Sequence, residues 1–423
     1  MYKYENIISM HLEISSLCNL ECPVCNRRVS GGPKNTMMTE RFVTLVDFKN
    51  WFTADFLKQL RRILFCGNYG DAMTNPELIE ILSYFRELNP TADVVVITNG
   101  SGRNKKFWED LSETINGYGS VVFSVDGLED TNHIYRKGAN WNKIMSAMKA
   151  YKSKGSRAIW EFLVFEHNQH QISEARKLAK EMGIDEFQAK KAIGFNSAAL
   201  SSTERKGFIE VLNTNGTPDY KIFAPDDEWK NESIVKATTN LERNTPEVWS
   251  NKDTIEIDIT HLYEQDKHDT SIENLNRSIN KEKIAKLNKC DITCDAHSVF
   301  NGENYSDIFV TSTGLVFPCC WIGSKYYATT TFETAQLREF VSSYGEHTID
   351  LSVTNNLRQV IESDIMQHGY DDRWARLSLA EGRLVTCATY CGKDTNDEIA
   401  STLKLGKIQT KIRKKENPSR YVS

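Results

Sequence analysis

From residue 7 to about residue 193, short runs of β-branched and aromatic residues alternate with longer stretches whose apolar positions recur at helical spacing. Ile7–Ser15, Arg62–Gly67, Ala92–Asn99, Ser120–Asp126, Arg157–Phe165 and Glu186–Ile193 read as strands. Glu40–Leu60, Pro76–Leu88, Asn104–Ile115, Trp141–Lys154 and Ile172–Met182 read as helices. Asn75 before Pro76 is a helix start, because Asn caps the backbone and Pro suits the first turn. Six such β/α repeats imply a parallel sheet with right-handed crossovers, either open and doubly wound or barrel-like. In both, chemistry gathers beyond the C-terminal ends of the strands. Cys18–Cys25, Asn68–Asp71, Thr98–Gly100 and Ser124–Gly127 all fall there.

The pattern then changes. Residues 197–289 are rich in Asn, Thr, Asp, Glu and Lys, with a weak strand signal at Thr254–Ile259 and a helix around Ile272–Leu287, and read as a connecting segment. Residues 290–395 hold six cysteines around a hairpin, Phe309–Phe317, that turns at Ser312–Gly314. Residues 396–423 read as a flexible basic tail, a solvated end rather than a contact for an anionic partner.

Composition narrows the class. A chain of 423 residues is long enough for two or three domains, and its formal charge of -5 does not suggest a nucleic-acid binder. There is no run of 18 apolar residues, and the N-terminus MYKYENIISMHLEI lacks the apolar stretch and cleavage site of a signal peptide, so a cytoplasmic location is expected. Ten cysteines kept reduced there point to metal ligation rather than disulfides. They fall in two groups, at 18, 22 and 25 and from 290 to 391, with only Cys66 between, as two separate metal sites would require.

Cys18, Cys22 and Cys25 form a CxxxCxxC motif in a loop between a strand and a helix. Three thiolates on a short loop can hold three corners of a cubane cluster and leave the fourth iron open to a chelating cofactor. A structural zinc site usually takes four ligands. The motif resembles that of the radical S-adenosylmethionine (SAM) superfamily. The resemblance implies a partial (β/α)6 TIM-like barrel over residues 1–196, a 4Fe-4S cluster whose open iron is chelated by SAM, and a reductant such as flavodoxin or ferredoxin. It also implies cleavage of SAM to a 5'-deoxyadenosyl radical that takes hydrogen from a substrate. The residue before the third cysteine departs from the family's usual aromatic, being Val24, which leaves the adenine contact open.

Further segments resemble family elements. Gly67, Asn68, Tyr69, Gly70 and Asp71 match the glycine-rich loop after the second strand, where close backbone approach lets carbonyls accept from the SAM amine. Asn99, with Thr98 and Gly100, and Ser124 and Asp126 match elements that line the ribose and carboxylate of SAM, and Arg136 stands where relatives carry an arginine that could reach SAM or substrate, or reads as well as an exposed surface residue. Asn99-Gly100 and Asp126-Gly127 can also be read as ordinary turns, the lesser alternative. Glu161 and Lys190, charged residues in apolar strands, read as outward-facing or as substrate contacts. His11 and Glu13 share a face of the first strand, His167 and His170 read as capping or surface residues, and Cys66 as a small buried hydrophobe.

The later cysteines resemble the SPASM and twitch modules of the same superfamily, Gly314 to Cys319 matching GxxxxC. Six cysteines suffice for one auxiliary 4Fe-4S cluster. Cys294, Cys319, Cys387 and Cys391 are the expected ligands, with Cys290 and Cys320 in reserve and a structural zinc site as the alternative. The function expected is oxidation of a peptide side chain or a small polar metabolite by this radical chemistry. No leader-peptide-binding domain is expected before the first strand, which favours the metabolite or a separate partner protein. A redox-neutral epimerase or mutase, and a non-catalytic zinc or iron–sulfur assembly protein, are the alternatives. No catalytic acid or base is readable.

Overall fold

A computed structural model describes residues 2–115, 117–192, 194–195, 207–226, 229, 281–292, 294, 296–300, 303–328 and 332–392. Six strands, β1 (Ile7–Leu12), β2 (Arg62–Phe65), β3 (Asp93–Thr98), β4 (Gly119–Ser124), β5 (Arg157–Val164) and β6 (Glu186–Lys191), pair in parallel in chain order. Their outward residues, such as Val94, Val96, Phe123, Trp160 and Phe162, pack against the helices in the main core. The opposite face carries its own small apolar cluster of Val95, Val122 and Ile159, flanked by Leu64 and Ile97. A parallel sheet covered on one face by helices and filled on the other by a layer of branched side chains is the expected α/β half-barrel.

The helices follow from apolar spacing and from capping. In Lys105–Ile115 the buried positions Trp108, Leu111, Ser112 and Ile115 recur three and four apart. The stretch Glu40–Leu60, expected as one helix, is two, Leu45–Trp51 and Ala54–Gln59. Thr44 caps the first in a reciprocal box with Asp47, and Thr53 caps the second by accepting from the Phe56 N–H at 3.2 Å. Two good caps this close together favour two short helices over one long one. The helix expected from Pro76 begins at Leu78 with Glu77 at its N-cap, so Asn75 does not cap it but ties down the chain that leads into it. Its Oδ1 accepts from the Glu77 N–H at 2.8 Å while its Nδ2 donates to the carbonyls of Ile14 and Val43 at 3.0 and 2.8 Å.

Beyond β6 a hairpin, β7 (Phe208–Leu212) and β8 (Pro218–Phe223), forms a separate two-stranded sheet. The strand expected at Thr254–Ile259 and the tail lie outside the described residues, and the helix expected to end at Leu287 is described as Lys281–Lys289. The C-terminal part contributes β9 (His297–Phe300), β10 (Glu303–Val310) and β11 (Val316–Phe317). β10 and β11 form the expected hairpin, with Phe309 opposite Phe317. β10 also lies parallel beside β1, Met10 opposite Ile308 and His11 opposite Phe309, so the cysteine-rich part extends the barrel sheet past its first strand. That pairing brings the second group of cysteines to the side of the barrel where the first group sits. No helix of the described residues is long and apolar enough to cross a membrane.

Candidate functional site

After Leu12 the chain stays extended through Glu13 and Ile14 and then enters the loop that carries Cys18, Cys22 and Cys25. Arg27 closes this loop from beneath. Its buried guanidinium donates to the carbonyl of Ser16 at 2.7 Å and to that of Leu20 at 3.3 Å, tying both sides of Cys18 together. The Cys25 N–H donates to the Cys22 carbonyl at 3.2 Å, a tight turn between the last two thiols. Asn99 reaches over from the end of β3, its Nδ2 lying 3.6 Å from Cys18 Sγ and 3.0 Å from Asn19 Oδ1. Burial pushes the Cys18 thiol up to about 12 and those of Cys22 and Cys25 up to about 11. Without a metal these groups are protonated thiols, so loading must expel their protons.

Glu13, which the sequence places only on a strand face, organises the glycine-rich loop. It is completely buried, and its two carboxylate oxygens accept from the backbone N–H groups of Asn68 at 2.9 Å, Tyr69 at 3.4 Å and Gly70 at 3.2 Å, with His11 Nε2 at 3.0 Å. With its amides turned to Glu13, the loop has its carbonyls left to offer a cationic amine. Gly70 is required by contact: a Cβ there would lie 1.4 Å from the Ser15 carbonyl oxygen. Cys66 is buried and holds a left-handed φ of 60° at the point where the chain leaves β2 for this loop.

The acidic residues expected at the cofactor act as buried hubs. Asp71 accepts from the Asn99 N–H at 2.7 Å, Asn99 Nδ2 at 2.6 Å and Thr98 Oγ1 at 2.7 Å, and burial lifts its pKa to about 6. Asp126 accepts from the Leu163 N–H at 2.7 Å and from Arg136 Nε at 2.5 Å. Burial works against the Arg136 cation, but Asp126 and the Cys22 thiol beside it raise its pKa above the usual arginine value, so it stays charged. Ser124 lies in register beside Glu161 of β5. Glu161 and Lys190, half-buried on adjacent strands, pair with each other. Val24 is 36% exposed and packs against Gly194. His170 is exposed, whereas His167 is half-buried and stacked on Phe165 at 5.3 Å.

A second site forms where three C-terminal segments meet. Cys294, Cys319, Cys387 and Cys391 line one small pocket, walled by Ile292, Trp321, Ile322, Trp374 and Tyr390. Cys387 and Cys391 share a face of the helix Val385–Cys391, one turn apart. Cys319 is the residue before the helix Cys320–Tyr326. A hydrogen bond with Cys391, then burial, raises the Cys294 thiol, and burial pushes Cys387 up to about 12. Among the described residues no three His, Cys, Asp or Glu side chains gather as a single metal ion would need. Four thiols lining one pocket, with Cys294 and Cys391 within hydrogen-bonding reach of each other, are a donor set that an iron–sulfur group could take.

The two reserve cysteines point elsewhere. Cys290 donates its thiol to the carbonyls of Leu287 and Ala388 at 3.3 and 3.7 Å within a small apolar cluster. Cys320 is half-buried, and burial, then the charge of Glu13, pushes its thiol up to about 12. Replacing Cys290 by alanine should therefore leave the iron content of anaerobically loaded protein unchanged and cost about 1 kcal/mol of stability. Cys294→Ala should lose about half the iron. Iron analysis beside a urea titration separates the two.

A family model, the Radical SAM superfamily, matches residues 12–183. A curated protein of Pyrococcus furiosus, the tungsten-containing aldehyde ferredoxin oxidoreductase cofactor-modifying protein, is 24% identical over 211 residues, which is 48% of this chain and 56% of that one. The chain thus spans about half the length of the curated relative it matches. Among solved structures, Streptococcus suis SuiB bound to its precursor peptide SuiA is similar at 15% identity and a TM-score of 0.46, over 90% of this chain and 76% of that one. Native anSMEcpe with bound AdoMet is similar at 13% identity and a TM-score of 0.45, over 92% of this chain and 91% of that one.

Proposed function

We infer, from a radical SAM superfamily domain at residues 12–183, that this chain cleaves SAM reductively and uses the resulting radical to oxidise a small polar metabolite or a peptide side chain. Residues Cys18, Cys22 and Cys25 would hold a 4Fe-4S cluster, and the glycine-rich loop, Asn99, Ser124 and Arg136 would hold SAM. When bound, these groups supply an electron and then an organic radical able to remove a hydrogen atom from a C–H bond. The chain's own part is to hold and shield. Arg27 and Glu13 fix the two loops, Arg136 presents a permanent cation beside Cys22, and the apolar plug of Val95, Val122 and Ile159 keeps the lumen floor dry.

The reading as an oxidation rests on one observation, the cavity lined by Cys294, Cys319, Cys387 and Cys391. A second redox group there would accept the electron that remains on the substrate after hydrogen removal. The charged lining of the barrel, with Glu161 and Lys190 on one wall and His11 and Glu13 on another, supports a polar substrate over an apolar one. Anaerobic reconstitution tests the whole: about eight irons per chain and release of 5'-deoxyadenosine under reductant are expected. Bound zinc without SAM cleavage would make the chain an assembly protein, and SAM regenerated with each turnover would make it an isomerase.

A further inference from the structure

The helix Cys320–Tyr326 is fastened at both ends by side chains that come from the first cysteine site. Asn26, next in sequence to Cys25, donates its Nδ2 to the Ser324 carbonyl at 2.8 Å and to the Ser324 hydroxyl at 2.9 Å. Asn68, from the glycine-rich loop, donates its Nδ2 to the Cys320 carbonyl at 3.0 Å. Asn35 locks the far end, donating to the carbonyls of Asn26 and Tyr327 at 2.7 and 2.6 Å. In its middle the helix lies so close on Phe309 of β10 that a Cβ on Gly323 would stand 2.2 Å from the ring. Tyr69, also in the glycine-rich loop, packs edge-on against both Phe309 and Tyr327.

The residue just before this helix is Cys319, which lines the second cavity. The helix therefore cannot slide or turn without breaking hydrogen bonds to the loop that carries Cys25 and to the loop that would receive SAM. Closely packed elements with few alternative seats transmit displacement rather than absorb it. We propose that the helix Cys320–Tyr326 is a strut that makes the environment of the second site depend on the state of the first, with Asn26 and Asn68 as its positioning residues. The inference rests on the reading that Cys294, Cys319, Cys387 and Cys391 hold a cluster. Since such coupling is reciprocal, the redox state of the second site must in turn alter SAM affinity at the first.

The test is electron paramagnetic resonance of the anaerobically reconstituted full chain, titrated with reductant in the absence and presence of SAM. The Cys22→Ala variant, which cannot complete the first cluster, supplies the spectrum of the second alone. In the unaltered chain, SAM should shift both the g-values and the midpoint potential of the second signal. In Asn26→Ala that shift should shrink or vanish while the iron content stays the same, and Asn68→Ala should act in the same direction. A second signal indifferent to SAM in the unaltered chain overturns the proposal without any variant, and so does a full shift that persists in both variants. A chain with about four irons and no second signal would instead remove the two-cluster reading on which the proposal stands.

Discussion

Cys22→Ala is expected to abolish SAM cleavage and to leave about half the iron. A cubane held by three thiolates cannot spare one of them, because two ligands and an open vertex do not retain it. The four cysteines of the second cavity are untouched, so about four irons per chain should remain and the protein should stay brown. The substitution removes a small, half-buried thiol and its hydrogen bond with Arg136, so stability of the metal-free chain should fall by about 1 kcal/mol. Release of 5'-deoxyadenosine under dithionite should drop below detection while circular dichroism of the metal-free chain stays that of the parent. A variant that still cleaves SAM at an appreciable rate would detach the chemistry from this loop.

Glu13→Ala should be the most destabilising single change in the first site. The carboxylate is buried without exposure and accepts from three consecutive backbone N–H groups as well as from His11. Removing it strands those donors, and each buried unpaired donor costs about 1–3 kcal/mol. A loss of at least about 3 kcal/mol follows, a large part of the stability of an ordinary domain. The glycine-rich loop should lose its shape as well, lowering SAM affinity at least about tenfold. His11→Ala gives the control. It forfeits one hydrogen bond and the edge contact with Phe309, and should cost only about 1–2 kcal/mol. Urea unfolding of the metal-free proteins and equilibrium SAM binding to the loaded ones read both effects. Equal losses in the two variants would show that Glu13 does not organise the loop.

Glu13 also marks the limit of what the sequence reveals. A lone acid between Leu12 and Ile14 at a strand end is an anomaly, but its partners are backbone amides 55 to 57 residues away, and no side-chain pattern announces them. Arg27 is hidden for much the same reason, since the acceptors that tie the loop are the carbonyls of Ser16 and Leu20, with Glu40 at 3.4 Å as a side-chain partner. The strands are legible because side-chain period and β-branched composition agree, yet the observed β1 stops at Leu12 and β2 at Phe65, short of the expected ends. There Cys66 turns left-handed and the extended backbone is diverted from the ladder into the site. The lateral pairing of β10 with β1 is not legible, because a parallel contact between strands so distant in the chain leaves no local trace.

The charged pair Glu161 and Lys190 illustrates the intermediate case. Each stands out as a charge in an apolar strand, and the sequence leaves each outward-facing or at the substrate. The register of β5 and β6 puts Leu163 opposite Lys190 and Glu161 opposite Gln188, near enough for the two charges to pair along the same face. The second group of cysteines is legible as a group, and the four expected as ligands line one pocket, but the reason Cys290 stands apart is structural: its thiol is engaged by two carbonyls in a separate apolar cluster.

The central claim is that the loop of Cys18, Cys22 and Cys25 holds a cluster with one iron open to SAM. Electron–nuclear double resonance of the reduced protein, with SAM labelled by ¹⁵N in its amine and ¹⁷O in its carboxylate, addresses it directly. Hyperfine coupling of both labels to one cluster, lost in Cys22→Ala and retained in Cys387→Ala, is the result predicted. Coupling from neither label in a protein that carries its full iron, or coupling that survives in Cys22→Ala, would contradict it.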